Sequence, residues 1–136
     1  MTGEEFFTDG IAKVKTAYQE LNPESFDNPL DYIYKKAQLE AEMQAYQSSM
    51  IEYRKYVVAA SPEEAAILIH SYCKNMSDAN RTKLGEVEKL ENQEDEKVTS
   101  DRGRYNGLID AYNDVRVYFD TKTSEYAAAH ERNQKR

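Results

Sequence analysis

His70 and Cys73 stand three residues apart in His70-Ser71-Tyr72-Cys73, a spacing that puts an imidazole and a thiol on one face of a helix. Such a pair can share a metal ion. A zinc site needs three or four ligands, however, and the only other histidine, His130, stands alone near the C-terminus. A ferritin-like di-iron centre needs two Glu-x-x-His motifs, and Ile67 and Ala127 occupy the positions where those glutamates would stand. Cys73 lies in an apolar run with Lys74 as its basic neighbour, which predicts a buried, inert thiol rather than a nucleophile of lowered pKa. The five glycines are dispersed, so no phosphate-cradling loop is present. These residues predict a packed helix interior, with no metal, no cofactor, no small-molecule substrate and no enzymatic activity.

Two other groups of side chains suit recognition. Between Glu86 and Asp101 the chain carries seven acids, Glu86, Glu88, Glu91, Glu94, Asp95, Glu96 and Asp101, against Lys89 and Lys97. A surface of this sign either docks a basic partner, imitating the phosphate backbone that occupies a nucleic-acid-binding protein, or only keeps a solvated turn in water. The eleven tyrosines form the second group. Most fall on heptad seams, but Tyr34, Tyr56 and Tyr118 do not, and off-seam tyrosines suit contacts with another subunit or protein.

The whole chain of 136 residues has a formal charge of −7, which disfavours direct binding to nucleic acid or to an anionic membrane surface. Leu, Ile, Val and Phe make up only 24 residues, so the core must be thin and depend on Tyr, Met and Ala. A thin core favours self-association, which buries surface that a slender monomer leaves wet. No apolar run reaches the length of a membrane span, and Met-Thr-Gly-Glu-Glu lacks the regions of a signal peptide. A single domain in the cytoplasm, of a cell or of an infected host, is the expectation. One cysteine fits a reducing compartment.

The elements that would position these residues are helices. From Tyr105, alternating steps of three and four reach Leu108, Tyr112, Val115, Phe119, Lys122, Tyr126 and Ala129, a coiled-coil seam broken only by Lys122. Thr2-Gly3-Glu4-Glu5 reads as a capping box opening a helix over about 3–21, carried by Phe7, Ile11, Val14, Tyr18 and Leu21, with Asn22-Pro23 ending it. Phe26 is a candidate plug in the loop that follows. Asn28-Pro29 then starts a second helix whose seam, Tyr32, Lys36, Leu39, Met43, Tyr46, Met50, Tyr53, Val57 and Ala60, is flanked by Ile33, Ala37, Ala41 and Ile51. Such a wide stripe predicts two neighbouring helices.

Ser61-Pro62-Glu63-Glu64 caps a third helix, apolar around most of its circumference through Ala65, Ile67, Leu68, Ile69, Tyr72, Cys73 and Met76, and so expected in the most buried place. Ser77-Asp78 either caps another helix or lies within a continuing third one. Beyond Arg81, Glu91, Glu94 and Asp101 fall on seam positions they cannot occupy dry. The chain therefore either runs on as one long helix with its middle in water or, as preferred, breaks within about 92–100. Thr99 or Ser100 would then cap the last helix, Gly103 and Gly107 would weaken its first turns, and the tail from Glu131 would fray.

Arg104-Tyr105-Asn106 followed by Tyr112-Asn113 resembles a short stretch of the LemA-like helical proteins. The likeness spans only residues 104–113, and those proteins carry a membrane segment without counterpart in this sequence, so it assigns no family. Together the patterns predict an all-α, antiparallel bundle of four to five helices with long coiled-coil-like members. They point to an interaction or assembly module that binds protein, itself included, with an acidic inhibitor of a basic nucleic-acid-binding protein as the alternative.

Overall fold

Three helix starts are set by side chains that the sequence marks as caps. Thr2 Oγ1 accepts a hydrogen bond from the Glu5 amide at 3.1 Å, Asn28 Oδ1 from the Leu30 amide at 2.9 Å, and Ser61 Oγ from the Glu64 amide at 3.1 Å. Each satisfies an amide that the first turn of a helix leaves without a carbonyl. The computed structural model describes the backbone of residues 2–134, and the side chains of that span except those of Tyr126 and of Ala129 onward. In order it holds α1 (Gly3–Gln19), a 3-10 turn (Pro23–Ser25), α2 (Pro29–Ala59), α3 (Pro62–Glu88) and α4 (Glu96–Gln134). No strand occurs among the described residues, and the fold is an all-α bundle of four helices.

Consecutive helices run antiparallel. Glu4 meets Arg54 at 2.8 Å and Tyr18 meets Glu40 at 3.1 Å, aligning α1 against α2. Ser77 with Asn113 at 3.0 Å and His70 with Asp120 at 3.5 Å do the same for α3 and α4. It follows that α2 and α4 lie parallel, and they approach closely. A Cβ on Gly103 would overlap the Tyr34 carbonyl, and one on Gly107 the Gln38 carbonyl. Ala41, Ala45 and Ala111, all 2% exposed or less, extend this small-residue contact. The two glycines are thus spacers between helices rather than weak points at a helix start.

Helix α4 packs extensively on both α2 and α3, which makes it the central element. Leu108, Tyr112, Val115 and Phe119 of the predicted seam are buried, while Tyr126 and Ala129 lie outside the described side chains. The backbone is helical through Gln134, past Glu131 where fraying is expected, and residues 135 and 136 are outside the description. Phe6 and Phe7 of α1 close one end of the core. Phe6 stacks on Tyr118 with centroids 4.3 Å apart, and Phe119 lies 5.8 Å from Phe7 and 5.0 Å from Tyr53. Offset and tilted ring pairs of this kind contribute about 0.5–1.5 kcal/mol each beyond area burial.

Two expectations need correction. Helix α3 is not the most buried: Ala65, Ala66, Ile69 and Cys73 face the core, but Ile67 is 52% and Leu68 43% exposed. The reason is that α1 covers α2 and leaves the outer side of α3 open. The break between the last two helices lies where the sequence predicts, but its cap is Asp95, whose Oδ1 accepts from the Val98 amide at 3.1 Å; Thr99 is a buried residue inside the first turns. Of the two readings open for Ser77-Asp78, the continuing third helix holds, since α3 runs through to Glu88. Pro23 too stands at a helical start, the 3-10 turn that Asn22 caps through the Glu24 amide at 3.0 Å. Phe26 sits edge-on to Tyr32, centroids 5.9 Å apart, beside that turn.

Candidate interaction surfaces

The acidic stretch spans the end of α3, the connection after it and the first turns of α4. The connection is held by its own side chains. Gln93 Nε2 donates to the carbonyls of Val87 (3.0 Å) and Leu90 (2.6 Å), satisfying the open C-terminal end of α3. Asn92 Oδ1 accepts from the Glu94 amide at 3.2 Å, and the Thr99 hydroxyl donates to the Gln93 carbonyl at 3.4 Å. On this frame Glu86, Glu88, Glu91, Glu94 and Glu96 are exposed and form no ion pair among the described residues. Asp95 is exposed too, but works as the cap of α4, and the half-buried Asp101 lies 3.6 Å from Arg104.

The three off-seam tyrosines are half-buried inside the chain. Tyr34 lies at the α2–α4 crossing, where burial raises its pKa, and the Arg102 guanidinium stands 5.8 Å from its ring. Tyr56 packs at the edge of the core beside Tyr72, and burial raises its pKa as well. Tyr118 carries the stack on Phe6, with Lys122 Nζ 5.7 Å from its ring. All three therefore contribute to the chain's own packing.

The residues of the His70-Ser71-Tyr72-Cys73 motif part company. Cys73 is fully buried with Sγ 3.5 Å from Ser49 Oγ on α2, and desolvation pushes its pKa up to about 12. At that value the thiol is un-ionised at neutral pH, the opposite of a nucleophile. His70 instead reaches across from α3 to Asp120 of α4, 3.5 Å away. Tyr46 and Tyr112 are buried tyrosines whose pKa values desolvation raises furthest; Tyr46 also donates to Asp114 at 2.8 Å. Among the described residues, no group of three or more His, Cys, Asp or Glu side chains is placed to hold a metal ion, and no helix is long and apolar enough to cross a membrane.

A feature that charge counting along the sequence misses lies between α3 and α4. Lys74, Ser77, Asp78 and Arg81 from α3 and Asn113 and Arg116 from α4 line a small cleft of about 50 Å³. Lys74 and Arg116 also border an adjoining, wider cleft of about 280 Å³ with His70, Val117 and Asp120. The signal in the sequence is faint: Ser77 and Asn80 interrupt the apolar stripe of α3, and Asn113 lies beside the seam of α4. Polar residues at such positions imply a specific partner across the helix pair.

The chain matches no family model, no curated protein and no solved structure.

Proposed function

We propose that this chain is a non-enzymatic assembly module that binds protein, in the first place a second copy of itself. The supporting observation is the apolar surface around the end of the bundle that holds the α2–α3 turn. Val58 is 88% exposed, Val117 59%, Ile51 and Ile67 52% each, and Leu68 43%. Large side chains left this open cost a thin-cored protein stabilisation, and covering one fully is worth about 1.5–3 kcal/mol. Leu108, Tyr112, Val115 and Phe119 of the Tyr105 seam are taken up by the chain's own core.

On this reading the particle is a dimer or larger and keeps its mass when salt is raised, since apolar contacts are not screened. Sedimentation velocity tests it, on the natural chain and on Val58→Glu and Ile67→Glu. Dissociation by either substitution, with helical content unchanged, is the expected result. A chain that sediments as a monomer at every concentration sinks the proposal.

A second reading is supported by the acidic connection: a small inhibitor that occupies a basic nucleic-acid-binding protein in the cytoplasm of a cell or an infected host. Five exposed glutamates without ion pairs among the described residues stand on the end of α3, the connection tied down by its own side chains and the start of α4, so binding would cost little ordering entropy. Capture from lysate at low and high salt, with Glu91, Glu94 and Glu96 changed to Gln, tests it. The substitutions leave Asp95 to cap α4, and a basic partner retained by this variant rules the inhibitor out.

A further inference from the structure

The geometry points to an oxyanion site, of the phosphate class, in the small cleft between α3 and α4. Three cations, Lys74, Arg81 and Arg116, converge there from two helices against one carboxylate, Asp78. In a chain with 25 acids and 18 Lys and Arg residues, cations that line a common cleft would ordinarily be matched by carboxylates. These three form no ion pair among the described residues, although Asp78 stands four residues after Lys74 and three before Arg81, the spacings at which helical pairs form. The other nearby acid, Asp120, faces His70.

Arg116 supplies the most specific observation. Its Nε is buried and has no hydrogen-bond partner. Arg102 Nε is left the same way, but Arg116 also lines the cleft, where an anion offers its guanidinium charge-assisted hydrogen bonds. Asn113 adds to the donor set. Its Oδ1 accepts from Ser77 Oγ at 3.0 Å, which leaves the amide NH2 as the donor end at the cleft. Two guanidinium forks, an ammonium and an amide make more donors than a carboxylate's two oxygens use well. A tetrahedral anion of charge near −2 matches both their number and the local excess of positive charge.

The phosphate group can arrive free or attached to an organic body. The wider cleft lies next to the small one and shares Lys74 and Arg116 with it, and its exposed Val117 and half-buried His70 offer a surface for such a body. This inference does not rest on the assembly reading: the small cleft holds none of the apolar residues proposed for assembly, and only the wider cleft shares one with them, Val117.

Isothermal titration with inorganic phosphate, and separately with AMP, at ionic strength held constant with chloride, tests it on the full chain. Saturable one-to-one binding is expected. Lys74→Met and Arg81→Met, both on exposed helix surface, each weaken it about tenfold, the usual effect of removing a charge-assisted hydrogen bond. Lys13→Met removes the same charge from an exposed position on α1 and leaves binding unchanged. Tighter binding of AMP than of phosphate identifies an organic phosphomonoester as the source, and equal binding identifies the free anion. Absence of saturable binding to both probes overturns the inference, as does an equal loss in Lys13→Met, which would mean diffuse attraction to the surface.

Discussion

The parallel contact of α2 and α4 can be tested with three glycine-to-alanine substitutions that share their local chemistry and differ only in what lies nearby. Alanine is favoured over glycine inside a helix by about 0.8–1.0 kcal/mol. At Gly85, within α3, nothing lies within 4 Å of the added methyl group, so Gly85→Ala collects that gain undiminished. At Gly107 the methyl overlaps the Gln38 carbonyl and reaches to 3.0 Å from Ala41 Cβ, where ordinary contact begins at 3.4 Å. Backbone cannot rotate away as a side chain tip can, so α2 and α4 must part. Overpacking of this kind costs about 1–3 kcal/mol, and the separation also loosens the alanine contacts around Ala45 and Ala111, which sets the cost toward the upper end. After the helix gain is subtracted, Gly107→Ala loses about 1–2 kcal/mol. Gly103→Ala, against the Tyr34 carbonyl, loses a similar amount, and the double variant loses less than the sum because one parting serves both. At about 3–4 °C per kcal/mol for a domain of this size, thermal melting followed by circular dichroism separates the signs. Gly85→Ala should melt a few degrees higher and Gly107→Ala a few degrees lower. A Gly107→Ala variant that melts at or above the natural chain would refute the close approach on which the α2–α4 register rests.

Asp95→Ala should lower stability by about 1 kcal/mol, the usual cost of deleting an N-cap, whereas Asp95→Asn should be nearly neutral because the amide oxygen caps equally well. Urea melts of the pair decide between the capping role and a purely electrostatic one, for which both variants would behave alike. Cys73 should resist iodoacetamide at pH 8 in the native chain and react at once in urea, since the folded thiol is raised to about 12 from an ordinary value of 9.0. Tyr46 and Tyr112 are raised from 10.0 in the same direction by burial. A group raised on folding contributes its full stability below the unfolded value and loses it as pH climbs toward the folded one. The melting temperature should therefore hold below about pH 9 and fall progressively above it, and a flat profile to about pH 11 would contradict the burial of these three groups.

What the sequence disclosed and what it concealed divide along the range of the interactions involved. Thr2, Asn28 and Ser61 were legible as caps because a cap is a contact with an amide two or three residues away, so residue type and position suffice. Asp95 performs the same task, yet it stands between Glu94 and Glu96, and a run of acids reads as charge before it reads as capping. The Tyr105 seam was legible for a similar reason, since heptad spacing is periodic within one helix and Leu108, Tyr112, Val115 and Phe119 are buried as it requires. Gly103 and Gly107 were misread because helix propensity belongs to one helix, while close approach belongs to two. The exposure of Ile67 and Leu68 was hidden likewise: composition gives the apolar circumference of α3 but not the number of neighbours it will find.

The cleft between α3 and α4 is the extreme case, for Lys74 and Arg116 are far apart in the chain and meet only through the register of two antiparallel helices. That register has a polar pin. Ser77 is 3% exposed and bonds the half-buried Asn113 across the helix pair, and a buried hydroxyl tolerates a slip of one turn poorly, because it would lose its partner. The polar interruptions that make the stripe of α3 look imperfect thus set which residues of α4 stand opposite Lys74 and Arg81. The same Ser77–Asn113 bond that aligns the helices also holds the amide at the floor of the cationic cleft, so alignment and recognition depend on one pair of side chains.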